Sequence, residues 1–180
     1  LGASDGISDT FGTSGNITFT SKGKSITTSG IGSTAITVQS IGGGGGFVGS
    51  SDDGASLGGT NLKNISAGNV NLTNTSVINT SGAASAGLVV QSIGGGGGVV
   101  SLTRNEAINL GGVNLTEAKA GDLTVNNTGD ITTLGVTSPL VIVQSIGGGG
   151  GYTTHSKDLA TANASNTIRL GDQNSLRSSS

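Results

Sequence analysis

Cysteine, methionine and tryptophan are absent from these 180 residues, and proline occurs once, at Pro139. Without cysteine there can be neither a disulfide framework nor a thiolate metal site. Aromatic residues make up 2% of the chain, and 8 Lys and Arg stand against 10 Asp and Glu with no basic stripe. Nothing there would neutralise a row of phosphates or stack on bases, which argues against nucleic acid as a partner. Charged residues amount to 10%, well below the roughly 25% of ordinary domains. No apolar run reaches the roughly 18 residues of a membrane-spanning helix. Helices of any kind lack a signature: apolar residues nowhere recur at helical spacing for three turns, and Thr, Ser, Asn and Gly are poor helix formers. The chain opens without an initiator Met or a signal peptide and closes at a different phase of its own pattern, so a piece of a longer protein is expected.

What the chain has instead is glycine, 35 of them, and repetition. Val38-Gln39-Ser40-Ile41 runs into Gly42, Gly43, Gly44, Gly45 and Gly46, and the same nine residues return from Val90 to Gly98 and from Val143 to Gly151. Gln39, Gln91 and Gln144 are 52 and 53 residues apart, so the chain is three copies of one unit. The units fall at about 15–67, 68–120 and 121–180, with 1–14 the tail of a preceding copy, and together they read as a single repeat-built domain.

Each unit opens on an alternating segment: Gly15 to Thr20, Gly68 to Thr73 and Gly121 to Asn126. Alternation of apolar and polar residues is the pattern of a strand with one buried face. A shorter strand ending in a glycine turn follows, Ser25 to Gly30 in the first copy, and then a more apolar strand, Ala35 to Ile41, Gly87 to Ile93 and Leu140 to Ile146. Beyond the glycines the copies diverge, and Tyr152 to Leu170 is longer than its counterparts, so this region is expected at an exposed edge.

The fold class expected is all-β: a β-solenoid (β-helix) of three ~53-residue repeats, in which aliphatic residues stack inward coil upon coil. A single coil of about 53 residues would have a perimeter of roughly 175 Å with nothing to fill it, so two to three coils per repeat are expected, with glycine runs roughly 14 Å apart. A β-sandwich or propeller would call for more aromatic residues than four.

The glycine runs Gly42 to Gly46, Gly94, Gly95, Gly96, Gly97 and Gly98, and Gly147, Gly148, Gly149, Gly150 and Gly151 are the candidate packing or interaction face. Five glycines lose the most entropy on ordering, so a run held at five in three copies needs a reason. It could be a face where backbone meets backbone, a loose surface bulge, or a lateral contact with another molecule. A phosphate cradle fails: Gly44, Gly46 and Gly49 spell G-x-G-x-x-G, but the other copies continue as Val99-Val100-Ser101 and Tyr152-Thr153-Thr154, with no helix pattern behind them.

The string Gly-Asn-Val-Asn-Leu-Thr-Asn, followed by Val-Val-Gln-Ser-Ile and five glycines, resembles repeats in the passenger regions of large Gram-negative autotransporters and adhesin-like surface proteins. The resemblance implies a β-helical passenger at the cell surface, anchored by an outer-membrane barrel that lies outside these residues. It covers nearly the whole chain and implies adhesion, matrix formation or self-association, with partners in host or matrix glycans and proteins or in neighbouring copies through the glycine faces.

Catalytic chemistry has few candidates. His155 is the only histidine and is expected in a solvated loop beside Ser156, Lys157 and Asp158. Asp52 and Asp53 are adjacent and would point oppositely on a strand, which suits neither geometry of paired glycosidase carboxylates. Asp122 and Asp130 follow glycines, where Asp commonly serves a turn; Glu106 and Glu117 have no counterparts in other copies. No cofactor or metal is expected. Thr-x-Thr pairs, of the kind that order water on ice-binding solenoids, do not recur at one position. The reading is a structural or adhesive surface rod rather than an enzyme, the alternative being a β-helical carbohydrate-cleaving enzyme of the tailspike or lyase kind.

Overall fold

A computed structural model describes residues 11–51, 54–102, 107–155 and 168–171. Among these residues every regular element is a strand, and all the strand pairings are parallel. Five stacks of three strands carry the fold. The opening segments pair as β2 (Ile17–Ser21), β8 (Val70–Asn74) and β13 (Leu123–Asn127). Then come β3 (Ser25–Thr28), β9 (Val77–Thr80) and β14 (Ile131–Thr133). The Gln-Ser-Ile strands are β4 (Ile36–Ile41), β10 (Leu88–Ile93) and β15 (Val141–Ile146). The last two stacks are β5 (Gly45–Ser51), β11 (Gly97–Leu102) and β16 (Gly150–His155), then β6 (Ala55–Leu57), β12 (Ile108–Leu110) and β17 (Ile168–Leu170). A shorter pair joins β1 (Phe11–Thr13) to β7 (Lys63–Ser66).

In every stack a strand bonds to its own counterpart in the next repeat. Gln39 pairs with Gln91 and Gln91 with Gln144, so one repeat makes one circuit of a β-solenoid-like stack. The expectation of two to three coils per repeat is thereby overturned. Successive glycine runs are adjacent strands, about 4.8 Å apart rather than roughly 14 Å.

The long perimeter is filled because the circuit folds back on itself. β10 is buried on both faces: Leu88 and Val90 pack with Val70, Leu72 and Ile78, while Val89 packs on the other side with Ala86 and Val99. Val100 and Leu102 of β11 meet Leu57, Ile108 and Leu110 in a further cluster. Four narrow cores thus replace one wide one, which is how a chain poor in aromatics fills a 53-residue circuit. The strand after the glycines is correspondingly interior, since β11 is buried throughout. Val99 to Leu102 are therefore not the exposed edge expected there, and residues 103–106 and the extra length in the third copy, at 156–167, lie outside the described residues.

Between β6 and β8 the chain turns in three-residue steps. Thr60, Lys63 and Ser66 bridge to Val113, Thr116 and Lys119, while Leu62, Ile65, Leu115 and Ala118 point into a fourth cluster. Asn61, Asn64, Asn114 and Glu117 make the bends at φ of 50° to 57°. Asn tolerates this left-handed conformation better than most residues, which accounts for three of the four.

Candidate functional site

The glycine runs stack on one another. A Cβ on Gly43 would lie 2.7 Å from the Gly95 carbonyl carbon, and one on Gly95 would lie 2.6 Å from that of Gly148. At Gly97, φ is +134°, which swings the missing side chain along the stacking axis, onto the Gly150 carbonyl oxygen. Gly45 meets Gly97 and Gly98 meets Gly46 in the same way. All five glycines of the middle run are buried. The backbone in turn bonds from circuit to circuit, Gly97 N–H to Gly44 O at 3.1 Å and Gly150 N–H to Gly96 O at 3.0 Å. Within the stack, therefore, the runs pack against the chain's own backbone. Space remains only at the two ends, where a Cβ on Gly46 would have nothing within 4 Å and one on Gly150 would have only ordinary contacts.

The fixed Gln-Ser-Ile step has a matching explanation. Gln39 Nε2 donates to Gln91 Oε1 at 2.7 Å and Gln91 Nε2 to Gln144 Oε1 at 2.6 Å, an amide ladder along the axis. The serines clasp the start of each unit: Ser40 Oγ donates to Gly15 O and accepts from Gly68 N–H. Ser92 does the same between Gly68 O and Gly121 N–H, at 2.9 and 2.8 Å. The opening Gly and the Ser some 24 residues later are one joint, a relation that spacing alone did not reveal.

The remaining candidates are dispersed. Asp122 N–H donates to Asn69 Oδ1, and Asn69 N–H to Asn16 Oδ1, each at 2.8 Å, so the Asn side chains cap the next circuit. The Asp130 carbonyl accepts from Ile78 N–H. Asp122 and Asp130 are exposed, and Glu117 occupies its left-handed bend. His155 ends β16, its backbone paired with Leu102, rather than sitting in a loop. Asp52, Asp53 and Glu106, with Ser156, Lys157 and Asp158, lie outside the described residues. Among the described residues no three His, Cys, Asp or Glu come together as a metal set. A depression of about 200 Å³ beside β12 and β17 is lined by Asn109, Gly111 and Arg169 among others. Tyr152 is half-buried, and desolvation pushes its phenol above the ordinary range despite a bond to Thr154.

The strands of the first stack carry no charged side chain. Thr18, Asn71 and Thr124 form one column and Thr20, Thr73 and Asn126 the next. No protein-family model matches the chain, and no curated protein or solved structure matches it.

Proposed function

We propose that this chain is a structural or adhesive rod of a surface protein, a passenger segment of the autotransporter or adhesin kind displayed outside a Gram-negative cell. The observation that carries the reading is that its most invariant residues face inward: Gln91, Ser92 and the middle glycines serve the bonding between circuits. What the repeats preserve is the stacking, while outward positions vary between Thr, Asn, Ser and Val. Circuits that bond to one another in register can be added along one axis, and such a stack with polar outward positions suits spacing and attachment. The likeness of its repeats to passenger regions supports an exported setting and an anchor elsewhere in the polypeptide.

The test is immunogold electron microscopy of the producing cell, paired with adhesion of beads coated with the purified chain. Labelled rods outside the cell and saturable attachment to matrix or host glycans are the expected results. Cytosolic labelling, or cleavage of a polysaccharide by the purified chain, would overturn the proposal in favour of another class.

A further inference from the structure

Eight triplets in the sequence spell Asn-x-Ser or Asn-x-Thr with no proline between. The triplet is the acceptor of N-linked glycosylation, but outward polar residues alternating along a strand also generate it, so the fold has to select among the copies. Asn163 lies outside the described residues. Asn74 is wholly buried and gives both amide hydrogens away, to Ser76 O at 2.9 Å and to Asn127 Oδ1 at 2.7 Å. Asn16 caps the next circuit, its Oδ1 accepting from Asn69 N–H. Asn114 donates to Asn61 Oδ1 from a left-handed bend, and Asn64 makes another such bend at φ of 50°.

Asn71, Asn79 and Asn126 are placed differently. They lie in β8, β9 and β13, where a residue and the one two further on point to the same face. Leu72 and Thr80, the middle residues of the first two triplets, are buried at 1%, so Asn71 with Thr73 and Asn79 with Ser81 face outward together. Both asparagines belong to the middle circuit, with a described circuit on either side. Asn126 and Thr128 are exposed in the same way, while Asn127 between them accepts from the buried Asn74 amide. Room follows from the columns. Asn71 stands between Thr18 and Thr124, Asn79 between Thr27 and Thr132, and Asn126 beside Thr73. No two of the three are neighbours in one column, and Asn71 and Asn126, one circuit and two residues apart, are separated by on the order of 8 Å.

We propose that Asn71, Asn79 and Asn126 are N-glycosylated, each by transfer from a glycosyl diphosphate. The side-chain Nδ2 attacks the anomeric carbon, and the bond from that carbon to the diphosphate oxygen breaks. The diphosphate leaves with the electron pair, the amide gives up one proton to the transferase, and no oxidant or reductant is consumed. Each product amide keeps its carbonyl and one N–H, and its sugar projects outward, away from the cores. The inference rests on the surface-rod reading, yet the two fail separately: an unglycosylated rod at the cell surface sinks this inference alone, and a cytosolic location sinks that reading.

The experiment is peptide mass spectrometry of the protein purified from the cell that produces it, beside Asn71→Gln, Thr73→Ala, Asn79→Gln and Ser81→Ala variants made in the same cell. Sugar mass is expected on the peptides carrying Asn71, Asn79 and Asn126. Asn71→Gln and Thr73→Ala should each remove the same increment, because the amide accepts the sugar and the hydroxyl two residues on completes the acceptor; Asn79→Gln and Ser81→Ala should behave as a second such pair. Single-sugar increments point to a nucleotide-activated donor, and a fixed block of several sugars to a lipid-linked one. Bare asparagine at all three positions would overturn the proposal. So would an increment that survives Asn71→Gln, which places the sugar on a hydroxyl, or equal modification of the buried Asn74, which removes the selection by the fold. Should a variant lose its fold, fragmentation of the parent's peptides, which assigns each sugar to an Asn or to a hydroxyl, decides instead.

Discussion

Gln91 is wholly buried, and its side-chain amide is bonded on both sides, accepting from Gln39 at 2.7 Å and donating to Gln144 at 2.6 Å. An amide there is tolerable only because each polar atom has a partner one circuit away, and those partners exist only in register. A slip by one residue would set Gln91 opposite Val or Ser and leave the amides unpaired, so the ladder fixes the stacking as well as holding it.

Gln91→Leu should therefore be costly although it keeps the volume and adds apolar surface. It strands a donor on Gln39 and an acceptor on Gln144, and about 2–6 kcal/mol of stability is expected to go, at 1–3 kcal/mol per abandoned group. The measurement is the denaturant midpoint at unchanged slope. Gln144→Leu, in the outer circuit, leaves Gln91 Nε2 without its acceptor and removes the long 3.4 Å bond to Gly151 O, and it should lose about half as much. Equal losses would show that the ladder does not act as a chain of bonds.

The glycines separate space from conformation. Gly97→Ala places a Cβ on the Gly150 carbonyl, and φ there is +134°, so both a clash and a strained backbone follow. Gly46→Ala shares the conformation, φ +150°, but meets nothing within 4 Å. The expected losses are more than about 3 kcal/mol for the first and about 1–2 kcal/mol for the second. Thermal melts of the two variants decide it: if they match, backbone conformation alone accounts for the glycines, and close packing between circuits does not.

The period, the alternating strands and the identity of the glycine runs were legible because a β face repeats every two residues and a solenoid repeats every circuit. The number of coils was not. A circuit of 53 residues is too wide only if it is a hollow ring, and nothing local in Leu88-Val89-Val90 distinguishes a strand buried on both faces from an ordinary apolar one. That burial is what folds the circuit inward. The Ser92 clasp on Gly68 and Gly121 was equally hidden, since its partners are brought together by the turn of the coil rather than by any motif. One signal was available: Asn61 and Asn64, three apart and each followed by an aliphatic residue, spell the left-handed bends of the narrow corner.

That corner yields a stabilising change. Glu117 takes φ of 57° where its counterpart in the preceding circuit is Asn64 at 50°. The Glu side chain is exposed, so little packing is at stake, and a residue with a longer side chain pays more for the left-handed region than Asn does. Glu117→Asn should raise stability by about 0.5–1 kcal/mol, seen as a higher melting temperature. A lower one would mean that the Glu side chain makes a contact worth more than the strain.

Alkaline pH should destabilise the fold through Tyr152. Burial is the larger influence on its phenol and raises the pKa, and the bond to Thr154 opposes it without prevailing. In the folded chain the proton is therefore held more tightly than in the unfolded chain, whose Tyr titrates near 10. Above that value the unfolded state has released a proton that the native state keeps, so stability falls as pH rises further. The contribution is fully present below about pH 9 and is lost as pH climbs through the folded pKa. Since the chain has a single tyrosine, phenolate absorbance reports on this residue alone. Denaturant midpoints measured from pH 8 to 11.5 should decline for the parent more steeply than for Tyr152→Phe, whose side chain cannot ionise. Parallel declines would show that Tyr152 does not carry the alkaline loss.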